Sequence, residues 1–155
     1  MGLRERLSDD VKDAMKAKQA KRVSTLRMVL AAIKDRDIAG RTETSREGVP
    51  DDEILQLLTK MIKQREESAA TFEQGARLEL AAGEREEIAI IREYMPRQLS
   101  PEETRAAVAS VIAETGAGSI KDMGKVMAAL KERHAGQMDF GKAGGVVKEL
   151  LSAPK

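Results

Sequence analysis

The chain has 155 residues, 41% of them hydrophobic and 34% charged, a size and polarity that suit one ordinary domain or two small ones and argue against a disordered tail or a membrane protein. Its 27 basic and 26 acidic side chains leave a formal charge of +1, which excludes general attraction to polyanions and confines any charged partner to a local patch. With no cysteine, no tryptophan, one tyrosine and two phenylalanines, disulfides, Fe–S clusters, thiolate zinc and cysteine nucleophiles are all excluded, and the core must come from Leu, Ile, Val, Met and Ala, which favours packed helices over sheet.

Leu3, Leu7, Val11, Ala14 and Met15 recur at the helical period and predict a first amphipathic helix. Val23, Leu26, Leu30 and Ile33 predict a second, which fades at Ala39-Gly40. Arg41 to Pro50 is aperiodic and reads as a connection. Pro50 followed by Asp51, Asp52 and Glu53 restarts a helix, with acids placed at the positive end of its dipole. This third helix carries Ile54, Leu57, Leu58, Met61, Ile62 and Phe72 and runs to Gly75. A fourth segment holds Leu78, Leu80, Ala81, Ile88, Ile90, Ile91 and Tyr94, with a possible break at Gly83.

The pattern lapses at Met95-Pro96, where a domain boundary is placed, dividing the chain into 1–95 and 96–155. Ser100-Pro101-Glu102-Glu103 then signals a helix start by capping box. That helix carries Ala107, Val108, Val111 and Ile112 and stops at Gly116-Ala117-Gly118. Ser119 or Asp122 caps the next, with Ile120, Met123, Met127 and Leu130 as its apolar line, and Asp139 caps a last helix bearing Val146, Val147, Leu150 and Leu151. The expected fold is all-α, four helices followed by a small three-helix domain. No spanning helix or signal-like stretch is legible, so the expected address is a reducing cytoplasm, away from membranes.

The near-neutral total conceals a division. Residues 1–50 carry twelve basic and eight acidic side chains, residues 51–95 six and eleven, and residues 96–155 nine and seven. Between Lys12 and Lys34 the bases Lys12, Lys16, Lys18, Lys21, Arg22, Arg27 and Lys34 meet the single acid Asp13. This strip either contacts phosphates or forms a solvated face that pairs with the acidic middle segment. In Lys121-Asp122-Met123-Gly124-Lys125, two lysines four apart border a helical glycine that costs about 1 kcal/mol relative to alanine. Such a glycine lets another helix or a ligand backbone come close. Lys131, Arg133, His134, Lys142 and Lys148 continue the basic series among glycines 136, 141, 144 and 145. A glycine-notched, lysine-bearing face suits the sugar–phosphate backbone of folded RNA; the alternative is close helix packing with lysines that only solubilise.

No catalytic constellation is apparent. His134 is the single histidine, and Glu66-Glu67, Glu86-Glu87 and Glu102-Glu103 are adjacent pairs that point to different sides of a helix, as surface residues do. P-loop, GxGxxG and GxSxG patterns are absent, and aromatic residues are too few to stack single-stranded bases.

Four segments resemble, in order, signatures of the YqeY (GatB/YqeY) family: Leu26–Lys34, Lys60–Ser68, Glu93–Ser100 and Lys121–Met127. The resemblance implies an all-helical protein whose carboxy-terminal domain is similar to the tail of the B subunit of the glutamine-dependent aspartyl/glutamyl-tRNA amidotransferase, where the tail helps to hold the tRNA body. It also carries the label carbon–nitrogen ligase with glutamine as amido-N-donor, although this chain contains no recognisable ATP site, glutaminase nucleophile or metal ligands, and no cofactor is expected. The family's Lys-Gly-Arg-Ala-Asp-like turn is replaced here by His134-Ala135-Gly136-Gln137-Met138-Asp139. The leading expectation is a protein that binds tRNA or another folded RNA through Lys121, Gly124, Lys125, Lys131, Arg133, Lys142 and Lys148, with Arg27 and Lys34 on the second helix. The alternatives are an accessory subunit acting in trans on an amidotransferase or other tRNA-handling enzyme, and an amidotransferase in its own right.

Overall fold

The computed structural model describes residues 2–40 and 48–152. Most of the connection expected between residues 41 and 50 therefore lies outside the described residues. The chain divides into two compact units, Met1–Met95 and Pro96–Lys155. The described residues are all-helical, with no strand: α1 (Leu3–Lys16), α2 (Ala20–Ala39), α3 (Asp51–Gln74) and α4 (Leu78–Arg92) lie in the first unit, and α5 (Pro101–Thr115), α6 (Met123–Arg133) and α7 (Phe140–Ser152) in the second. None of these helices is long and apolar enough to cross a membrane.

The first core collects the predicted stripes. Leu7, Leu26, Val29, Ile33, Ile54, Leu58 and Ile91 are fully enclosed, and each such side chain contributes about 1.5–3 kcal/mol of hydrophobic free energy. Met15, expected on the apolar face of α1, is instead 50% exposed, because α2 turns back immediately after it. The α1–α2 and α3–α4 turns share one construction. Gln19 N–H donates to Ala14 O and Arg77 N–H to Phe72 O, while Lys18 and Ala76 take left-handed backbone at φ +56° and +58° without being glycine. At the start of α3, the Arg4 guanidinium meets Asp37 at 2.5 Å and donates to Val49 O, and Asp37 accepts the Val49 N–H.

The break considered at Gly83 does not occur. α4 runs unbroken from Leu78 to Arg92, since a single helical glycine costs less than the packing of Ala81, Ile88 and Ile91 returns. Leu78 and Leu80, expected in the core, are 67% and 45% exposed. Glu87 departs from the surface reading of the paired glutamates: it is mostly buried, 3.7 Å from Arg65 Nε and 4.0 Å from Lys21 Nζ.

The Glu93–Ser100 segment is used almost wholly for structure. Glu93 pairs with Arg22 at 2.5 Å, and the buried Tyr94 hydroxyl donates to Asp10 while Arg6 lies 5.1 Å from the ring centre. Burial, and then the Asp10 carboxylate, raise the Tyr94 pKa well above its ordinary value. In the second unit, Leu99 N–H donates to Gln137 O, Gln98 donates to Gly136 O, and Ser100 and Glu103 form a reciprocal capping box.

The second core is Val108, Val111, Val126, Leu130, Met138, Ala143 and Val147. α5 ends on Gly116 at φ +68°, a position that favours glycine. The next helix differs from expectation at its start. Residues Ile120–Asp122 form a 3₁₀ turn, Ile120 is 48% exposed instead of joining the apolar line, and neither Ser119 nor Asp122 caps α6 by a side-chain bond. The Asp122 carboxylate accepts from Gly118 N–H, which tightens the preceding loop and lowers the carboxyl pKa. Asp139 does cap α7, accepting from Gly141 N–H at 2.8 Å and Lys142 N–H at 3.4 Å.

Candidate functional site

The two helical glycines of greatest interest play opposite parts. Gly144 is buried on α7, and a β-carbon there would lie 3.6 Å from Met123 Cε and 3.9 Å from Met127 Cε, so this is where α6 and α7 approach closely. Gly124 is exposed near the start of α6, and nothing lies within 4 Å of where its β-carbon would be. Helix packing within the unit therefore does not account for Gly124. Gly145, on the exposed side of α7, is equally bare.

Lysines border both open positions. On α6 and the turn before it, Lys121, Gly124, Lys125, Ala128 and Lys131 are exposed at helical spacing, and on α7 Gly141, Lys142, Gly145 and Lys148 are exposed. Not all the cations are equally available. Lys125 Nζ donates to Thr115 O at 3.0 Å, covering a carbonyl at the end of α5, and Arg133 pairs with Glu114. Among the described residues, Lys121, Lys131, Lys142 and Lys148 make no ion pair. The second unit thus offers four uncommitted ammonium groups around bare helix backbone, and two further cations anchored on α5.

Arg27 and Lys34 belong to the first unit. Both are exposed on α2, seven residues apart on one face. Arg27 reaches Met15 Sδ at 3.5 Å and, with Lys18, borders an open groove of about 860 Å³ floored by Met15, Ala20, Val23 and Met28. The apolar floor is not legible in the charges of this strip, because the spacing of Met15 and Val23 places both on buried helix faces.

His134 Nδ1 lies 2.9 Å from Gln137 Oε1, within the turn that joins α6 to α7. No group of three or more His, Cys, Asp or Glu side chains among the described residues could hold a metal ion.

A family model described as Yqey-like protein matches residues 4–151, and the chain belongs to the YqeY family. The chain is 38% identical over 89 residues, 57% of its length, to altered inheritance of mitochondria protein 41, mitochondrial, of Clavispora lusitaniae, covering 49% of that protein. It is 33% identical over 110 residues, 70% of its length, to the protein of the same name from Kluyveromyces lactis, covering 57% of it. An uncharacterized protein of Schizosaccharomyces pombe is 31% identical over 88 residues. The chain spans about half the length of the first two relatives.

Proposed function

We propose that this YqeY-family protein binds folded RNA, tRNA foremost, through its second unit, holding the sugar–phosphate backbone by charge and shape. The observation that carries this reading is the pair of bare helical glycines, Gly124 and Gly145, flanked by lysines that make no ion pair among the described residues. Exposed glycine weakens a helix, so retaining it on an open surface favours a use in which a ligand backbone comes within contact distance. If the resemblance of this region's sequence to the tail of the tRNA amidotransferase B subunit extends to its use, the second unit holds tRNA in the same way. A chain without cysteine is indifferent to the redox state around it; the cytoplasm is the address proposed here, set against the mitochondrial names of the fungal relatives.

The test is a gel-shift titration with total tRNA at two salt concentrations. Lys121 and Lys142 are the informative targets because neither has an ion-pair partner to lose among the described residues. The double variant Lys121→Glu, Lys142→Glu is expected to bind at least tenfold more weakly and to lower the salt slope by about two. Wild-type affinity and slope in that variant would remove the proposal.

A further inference from the structure

α4 presents a stripe to solvent that the first unit does not use. At about 3.6 residues per turn, Leu78, Ala82, Arg85, Glu86 and Ala89 share one side, and all are exposed. Spacings of four, three and four residues place Leu78, Ala82, Arg85 and Ala89 at the seam positions of a coiled coil, with side chains small enough in two places for a second helix to pack closely.

The charges on this stripe are complementary to themselves. If a second α4 lies antiparallel across a two-fold axis passing between Arg85 and Glu86, Ala82 faces Ala89 of the copy, Arg85 faces Glu86, and Glu79 faces Arg92. Each ionic pairing occurs twice and joins opposite charges. In the same register Leu78 meets the copy near Glu93. A cleft of about 450 Å³, lined by Ala20, Arg22, Glu86, Ala89 and Ile90, opens between the start of α2 and α4, and in this register it faces Arg85 and Ala82 of the copy. Arg85 and Arg92 already pair with Glu73 and Glu66, but those pairs are exposed and weakly held, so both guanidiniums can be shared. A formal charge of +1 places no net repulsion between copies.

We propose that two copies of this chain associate through antiparallel packing of α4, with Ala82 of each against Ala89 of the other, Arg85 against Glu86 and Glu79 against Arg92. Sedimentation equilibrium of the RNA-free full chain in the micromolar range is expected to give about twice the 16.9 kDa of one chain. Arg85→Glu is expected to shift dissociation to at least tenfold higher concentration, and the exchange Arg85→Glu, Glu86→Arg to restore association, with circular dichroism unchanged in both. Because the chain has no cysteine, Ala82→Cys and Ala89→Cys chains mixed together provide a clean proximity test. A disulfide is expected in the mixture faster than in either variant alone. A monomer throughout, a dimer indifferent to Arg85→Glu, or cross-linking without preference for the mixture would each overturn the proposal.

Discussion

Replacing Gly145 by alanine separates what the fold wants from what the proposed RNA surface wants. Gly145 lies inside α7, and apart from its own chain neighbours and the backbone of its helix nothing lies within 4 Å of the position a β-carbon would take, so the new methyl meets neither clash nor packing partner. Only the helix term remains, and glycine is about 0.8–1.0 kcal/mol worse than alanine in a helix interior. The variant should therefore be more stable by up to about 1 kcal/mol, an increase of roughly 4–8 °C in Tm for a cooperative unit of this size. Gly124→Ala should act in the same direction but less strongly, since Gly124 is only the second residue of α6. Urea titration by circular dichroism measures the stability, and tRNA gel shift measures the binding. If a nucleic-acid backbone approaches these glycines, the double variant is more stable yet binds RNA several-fold more weakly. Lower stability would refute the open surface at Gly145, and unchanged RNA affinity would refute its use as a contact.

Ala76→Gly should stabilise the first unit by about 1 kcal/mol in urea, because the left-handed backbone at φ +58° costs a residue with a β-carbon about 1–2 kcal/mol, part of which glycine repays in chain entropy. Tyr94→Phe leaves Asp10 without its phenolic donor and should cost about 1.5–3 kcal/mol by the same measurement. Since folding raises the Tyr94 pKa, its stabilising effect is complete below the unfolded value near 10 and is lost as pH rises, so the wild-type chain should weaken more than the phenylalanine variant at alkaline pH. Glu103 shows the opposite sign. Its bond from Arg97, and then the Ser100 N–H, lower its pKa from 4.5 to about 2, so its effect is present above about pH 5 and disappears as pH falls toward 2. Unfolding of Glu103→Gln by acid should lack that part of the wild-type pH dependence.

Much of the helical plan was legible in the chain. Leu7, Leu26, Ile33, Leu58, Val108 and Leu130 are buried where their spacing put them, and Ser100, Gly116 and Asp139 punctuate the helices as their chemistry requires. The errors cluster at helix ends. Met15, Leu78, Leu80 and Ile120 continue an apolar spacing past the point where a neighbouring helix covers it, and periodicity does not record where the cover stops. Gly83 looked like a break because propensity was weighed without the packing of Ala81 and Ile88 on either side.

The candidate site shows the same division. Its lysines and glycines could be picked out by type and spacing, because a helical period tells which residues share a face. Which glycine is covered could not, since Gly124, Gly144 and Gly145 are chemically identical and differ only in what packs against them. Tertiary structure closes Gly144 against Met123 and Met127, leaves the other two bare, and spends Lys125 and Arg133 on the end of α5. Local chemistry determined the helices, their caps and the charge of their surfaces. Only the packing of one helix on another decided which of those surfaces remain free to meet a partner.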